Sequence, residues 1–182
     1  MGQRLNLAQP APIFSKIAIV GLGRVGGSIA LAARRAWPKG LVIGVDTNKV
    51  LEHAMVLYAV DVAAADLIIA SEAELVILAS PGPRTIELLD EIPDAIPGSA
   101  VITTTSADDG DIAAAAASLP SRFTFVGGRP EIEPADDSIL HASADLFNGR
   151  PWILTPRAGT PPDALDLLQR FVAALGAKPT IG

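Results

Sequence analysis

This sequence predicts an α/β domain built on a doubly wound, mostly parallel sheet, and three observations carry the prediction. Short uncharged β-branched runs alternate with helical runs rich in alanine and leucine along the chain, the order that wraps helices over both faces of a parallel sheet. The first such run opens straight into a glycine-rich turn and a helix, and the second ends in an acid. Right-handed crossovers then bring the strands' carboxyl ends to one rim. There the loops at Gly21, Asp46, Ser80, Thr104 and Gly128 should line a crevice at the switch point of the sheet.

Residues 17–20, Ile-Ala-Ile-Val, read as a strand buried on both faces. Gly21, Gly23 and Gly26 follow, spaced as in a Rossmann-type dinucleotide-binding loop. The first allows a tight turn, the second lets a pyrophosphate approach the backbone, and the third lets the helix pack close to the strand. The open N–H groups and positive dipole end of that helix suit an anion. Glycine spacing alone is a weak signal; its flanking strand, helix and acid give it weight. A helical run over 28–37 is stopped by Pro38 and Gly40, and a strand over 41–45 ends at Asp46, 46 − 26 = 20 residues beyond the third glycine. A carboxylate there accepts from ribose hydroxyls and repels a 2′-phosphate, and Thr47 and Asn48 bring no arginine to hold one. The expected cofactor is NAD rather than NADP. Its candidate binding residues are Gly21, Leu22, Gly23, Arg24, Val25, Gly26 and Asp46, with Ser80, Pro81 and Thr104 from neighbouring strand ends.

Beyond Asp46 a helix is expected over 49–60, with Leu51, Met55 and Tyr58 on one side and His53 as a packed or surface residue without metal spacing. Residues 67–70 form a short apolar run at the end of a crossover. A strand over 75–79 stops at Ser80-Pro-Gly-Pro83, because proline cannot continue a ladder. A helix over 84–92, closed by Pro93, leads to a strand over 100–103 and a loop over 104–109. The helix over 112–119 has Asp108, Asp109 or Asp111 to cap it, and Pro120 stops it. A strand over 123–126 should end at Gly127-Gly128-Arg129-Pro130, followed by an acidic loop over 131–137 and a short helix over 141–147. A strand over 151–154 comes next. A helix starting at Thr160-Pro-Pro-Asp163 carries Leu165, Leu168, Val172 and Leu175 at helical spacing, and 178–181 reads as an edge strand. Residues 1–15 read as a flexible arm and 16–182 as one dinucleotide-binding domain.

Composition sets bounds on this reading. The 182 residues, 49% hydrophobic and 19% charged, suit one domain with a sizeable core. No run approaches the roughly 18 apolar residues that a membrane span needs. Zero cysteines exclude disulfides, thiolate metal sites and a cysteine nucleophile. Together with an N-terminus that lacks a secretory apolar core, they point to the cytoplasm. A net charge of −6 argues against nucleic-acid binding, and no metal site is expected.

Longer motifs carry a resemblance. They are Ile-Ala-Ile-Val-Gly-Leu-Gly-Arg-Val-Gly-Gly-Ser over 17–28, Val-Ile-Gly-Val-Asp over 42–46, Leu-Val-Ile-Leu-Ala-Ser-Pro over 75–81, and Asp-Leu-Phe-Asn-Gly-Arg-Pro-Trp-Ile-Leu-Thr-Pro over 145–156. From Lys16 to about Lys178 the chain resembles the nucleotide-binding domain of the prephenate and arogenate dehydrogenases. The first motif is generic to NAD enzymes; nothing in dinucleotide binding demands the last. The resemblance implies oxidative decarboxylation, in which hydride leaves the carbon bearing the ring hydroxyl for nicotinamide and carbon dioxide is lost as the ring becomes aromatic. It also implies a further helical domain that completes the substrate pocket and the dimer.

Two loops depart from the family pattern. Where the family reads Asp-Val-Gly-Ser-Val-Lys, this chain reads Thr104-Thr105-Ser106-Ala107-Asp108-Asp109, so Ala107 replaces the active-site serine, with Ser106 or Thr105 as substitute candidates. Where the family reads Gly-Gly-His-Pro-Met-Ala-Gly, this chain reads Gly127-Gly128-Arg129-Pro130-Glu131-Ile132-Glu133, so Arg129 replaces the proton-accepting histidine. A guanidinium stays protonated near neutral pH and can bind an anion but cannot accept that proton. His141 matches a small residue in the family, which leaves it a packing or solvent role. Asp108, Asp109, Asp111, Glu131, Glu133, Asp136 and Asp137 face Arg129 across the expected mouth. They repel a dianion such as prephenate, unless they cap helices or lie in solvent. The expected function is an NAD-binding, oxidoreductase-like domain with altered or lost substrate activity. A non-catalytic NAD-binding or sensing domain that acts through a partner fits the same residues, as does another reductase, such as one acting on imines. A homo-oligomer or a protein partner is compatible with either.

Overall fold

A computed structural model describes residues 8–106 and 110–182. The expected substitute at Ala107 and the acids Asp108 and Asp109 lie outside the described residues. In chain order the strands are β1 (Lys16–Val20), β2 (Leu41–Val45), β3 (Val62–Ala64), β4 (Leu75–Leu78), β5 (Ala100–Thr104), β6 (Phe123–Pro130), β7 (Pro151–Pro156) and β8 (Lys178–Ile181). The helices are α1 (Arg24–Ala36), α2 (Asn48–Val56), α3 (Gly82–Ala95), α4 (Asp111–Ala117) and α5 (Pro162–Ala174).

The strands form one sheet in the order β3-β2-β1-β4-β5-β6-β7-β8. Pairing is parallel from β3 to β6, antiparallel between β6 and β7, and parallel again between β7 and β8. Both faces are covered, so β1 carries no polar face. Ile17 and Ile19 pack with Ala30 of α1, Leu51 of α2 and Phe171 of α5. Ala18 and Val20 point the other way, toward Leu88 and Leu89 of α3 and Ile112 of α4. The strand order reverses between β1 and β4, and a crevice opens at their carboxyl ends.

Several elements differ from the sequence reading, each for a local reason. α1 begins at Arg24 because Gly23, extended at φ −74° and ψ −155°, already serves as its N-cap. Three residues, too few to show a period, form β3 at the sheet edge. Residues Leu67–Ala70 make a 3₁₀ turn that Asp66 caps by accepting from the Ile68 N–H at 3.0 Å. α3 runs through Pro93, because proline in the last turn forfeits only one backbone bond. β6 does not end at Gly127: it continues to Pro130, with Gly128 opposite Leu154 and Arg129 opposite Ile153. The helix expected over 141–147 is absent; a 3₁₀ turn at Ile139–His141 leads into turns that bury Phe147. Packing begins ahead of Lys16, since Phe14 is buried edge-on against Phe171 at 5.9 Å.

α2 stops at Val56, short of the expected position 60, because the chain reverses through Tyr58 at φ 53°. The Ala59 N–H then donates to the Ala54 carbonyl at 2.9 Å, closing the helix in a Schellman-type cap. Leu51 is buried, whereas Met55 and Tyr58 are exposed, so the expected apolar side is split. A left-handed conformation at a non-glycine residue costs roughly 1–2 kcal/mol, and the Tyr58 side chain is 78% exposed and contributes little packing. Tyr58→Gly is expected to stabilise the fold by about 1 kcal/mol, a rise of about 2–4 °C in Tm for a chain of this size. A thermal melt that moves down would show that Tyr58 makes a contact worth more than its strain.

Candidate functional site

The glycine loop joins β1 to α1 at the β1/β4 crevice, and two of its glycines are sterically required. Gly21 has φ +95°, and a Cβ there would lie 2.5 Å from the Ala79 carbonyl oxygen of the chain leaving β4. A Cβ on Gly26 would overlap the Gly21 carbonyl oxygen, so this glycine seats α1 against the loop. Leu22 is fully buried and offers the crevice only its backbone. Its N–H donates to Asp46 Oδ2 at 2.7 Å, and the Thr47 N–H donates to Asp46 Oδ1 at 2.6 Å. These bonds fix the carboxylate at the end of β2. Each oxygen still has a lone pair for a ribose hydroxyl.

Ser80 and Pro81 line the same crevice from the end of β4. Thr104 does not line it: its side chain is fully buried, and its hydroxyl bridges to Gly128 of β6, donating to the carbonyl at 3.3 Å and accepting the N–H at 3.2 Å. Sequence reasoning missed other lining side chains, three basic ones among them. Lys49 and His53 reach the crevice from α2, and Arg84 reaches it from α3. Arg84 is held by Glu87 at 2.9 Å and Glu91 at 2.7 Å, so its charge is balanced within its own helix.

The acidic segment after β6 crosses the glycine loop as a strap. Asp137 Oδ1 accepts the Arg24 N–H at 2.8 Å, and the Arg24 guanidinium donates to the Glu133 carbonyl at 3.0 Å. The strap's far end is pinned to α1. Gly27 leaves room for Ile139 and Ala142, and Ser28 Oγ accepts the Ser143 N–H at 2.9 Å. Arg35 donates to Asp145 at 2.7 Å and holds that carboxyl below its ordinary range. Asp137 lies 137 − 24 = 113 residues from its partner, and no local pattern could have joined them. Of the other acids, Asp136 faces His141 at 3.5 Å and Glu131 faces Arg129 at 3.8 Å.

The residues fit NAD unequally. At the end of β2 the Asp46 carboxylate is fixed by two backbone N–H groups and could accept from a ribose hydroxyl. At the phosphate end the N–H groups of Val25 and Gly26 have no protein acceptor among the described residues, while the Arg24 N–H is taken by Asp137. The positions that would carry chemistry are less equipped. Arg129 sits in β6, half-exposed beside Glu131. Among the described residues Ser106 Oγ is buried without a hydrogen-bond partner. Among the described residues no cluster of His, Cys, Asp and Glu could hold a metal ion, and no helix is long and apolar enough to cross a membrane.

Comparison with known proteins gives these features relatives. The family described as "Prephenate dehydrogenase, nucleotide-binding domain" matches residues 29–181. A prephenate dehydrogenase of Bacillus subtilis (strain 168) is 32% identical over 165 residues, which is 88% of this chain and 44% of the relative. The chain therefore spans less than half of that relative's length. The crystal structure of Synechocystis arogenate dehydrogenase is 31% identical with a TM-score of 0.83, covering 92% of this chain and 59% of that one. Prephenate dehydrogenase from Aquifex aeolicus, in complex with hydroxyphenyl propionate and NAD+, is 25% identical with a TM-score of 0.85 over the same shares.

Proposed function

This chain belongs to the prephenate dehydrogenase family through its nucleotide-binding domain, and we propose that it binds NAD at the β1/β4 switch point with the family's dehydrogenase chemistry altered or lost. The observation that carries the reading is the convergence of Gly21, Gly23 and the fixed Asp46 carboxylate on one crevice. Asp46 would hold the adenosine ribose, and the first-turn N–H groups of α1 would face the pyrophosphate. Bound NAD would supply a hydride acceptor. The protein's own proton acceptor is what this chain lacks, because Arg129 stands at the family's histidine position. That substitution also supports the second reading, a non-catalytic NAD-binding or sensing domain that acts through a partner.

Cofactor choice tests the proposal. NAD should bind at least tenfold tighter than NADP, about 1.4 kcal/mol, since a 2′-phosphate would meet the Asp46 carboxylate and Arg84 is already paired. Titration calorimetry with both dinucleotides measures the ratio. Equal or tighter NADP binding would overturn the preference and point to Lys49 as a phosphate ligand.

A further inference from the structure

The strap's carboxylate occupies the place where a dinucleotide's phosphate belongs. A Cβ built on Gly23 would lie 2.6 Å from both Cγ and Oδ2 of Asp137. The open space that the second glycine creates is therefore filled by this side chain. Asp137 Oδ1 also takes the Arg24 N–H at 2.8 Å, a first-turn donor at a helix N-terminus that otherwise attracts an anion. The carboxylate thus satisfies both steric and electrostatic requirements of a phosphate oxygen. The three atoms nearest to that Cβ position all belong to Asp137, so this side chain fills the space that glycine leaves at 23.

We propose that Asp137 is a tethered anion that competes with the cofactor's pyrophosphate, so that dinucleotide binding requires the strap over 131–138 to release α1. This rests on the reading that the crevice binds NAD. The strap is built for reversible release. Its residues from Glu133 to Asp137 are exposed, and among the described residues this stretch makes two hydrogen bonds to α1, both to Arg24. Just beyond it, buried Ile139 and the Ser28–Ser143 bond anchor the chain, so release need not disturb the fold. Two like charges cannot share one set of N–H donors. Their competition therefore weakens the binding of any phosphate-bearing ligand and leaves a neutral nucleoside unaffected.

Asp137→Asn removes the charge and keeps the shape. Calorimetry on the parent and on this variant should show NAD and ADP-ribose binding at least tenfold tighter to the variant, with adenosine changed less than twofold. Asp136→Asn, which removes an equal charge beside His141, should change NAD affinity less than twofold. Asp137→Ala serves as the second variant should Asp137→Asn fail to fold, and the same gain is expected. If both Asp137 variants fold and bind NAD as the parent does, the competition is refuted while the NAD-binding reading stands. A gain shared equally by Asp136→Asn would also refute it, in favour of general charge repulsion. If neither the parent nor the variants bind NAD, the reading beneath the inference fails and takes the inference with it.

Discussion

Gly23→Val is expected to leave the fold intact, within about 4 °C of the parent Tm, and to weaken NAD binding at least a hundredfold. The backbone at Gly23 is extended, with φ −74°, and so lies outside the left-handed region that favours glycine. The atoms nearest to an added Cβ are the carboxylate end of the Asp137 side chain on an exposed strap. The Asp137 side chain can move at the cost of one exposed hydrogen bond, to the Arg24 N–H. Two opposing effects then act on the cofactor. Expelling Asp137 removes a competing anion, worth about a tenfold gain if the competition operates. The valine methyl groups, however, stand over the first turn of α1, where the pyrophosphate must approach the backbone. Steric overlap with a phosphate cannot relax as the strap does, so loss dominates, at about 2.7 kcal/mol or more for a hundredfold change. Gly26→Val provides the contrast. Its Cβ overlaps the backbone carbonyl of Gly21 and lies 3.2 Å from Ala79 Cβ, so that variant should lose stability as well as binding. Calorimetry and thermal melts on both variants separate the cases. Unchanged NAD affinity in folded Gly23→Val would place the pyrophosphate elsewhere.

The sheet was legible because its determinants are local. An uncharged run such as Ile17–Ala18–Ile19–Val20 can be buried on both faces only in a covered parallel sheet, and the glycines after it make the turn explicit. The place of Asp46, just after β2 and beside the glycine loop, was legible from the apolar strand before it and its distance from the glycines. What escaped depends on distant partners. Gly127 and Gly128 look like the end of a strand, yet β7 arrives antiparallel alongside and carries the ladder on to Pro130. Thr104 looks like a crevice residue, yet its hydroxyl is consumed by Gly128. The acidic segment could be read only as repulsive or solvated, because the N–H it satisfies belongs to Arg24, far away in sequence. Charge on a loop shows in sequence; which donor it meets is decided by packing.

Residues 1–182 are expected to show little or no prephenate or arogenate dehydrogenase activity at saturating NAD. In the family the step needs a group that takes the substrate's hydroxyl proton as hydride leaves. The resemblance puts Arg129 at the position that should hold it, a guanidinium on β6 that has N–H donors and no acceptor, with Glu131 as its neighbour at 3.8 Å. The chain has two histidines, and the resemblance puts neither at that position. His53 lines the crevice from α2, on the side of Asp46, and His141 faces Asp136 at 3.5 Å beyond the strap. General base catalysis typically contributes 10²- to 10⁴-fold, so its loss alone brings a rate near background. Glu131 and Glu133 weaken binding of a dianion further. Arg129→His would restore an acceptor but leave those acids in place, and the resemblance puts part of the substrate pocket in a further helical domain. That variant should recover at most a trace. NADH formation, followed with each substrate for the parent and for Arg129→His, gives the answer. Turnover by the parent at a rate usual for enzymes would mean that another group, with the unpartnered Ser106 hydroxyl the first to examine by Ser106→Ala, has assumed the proton-accepting role.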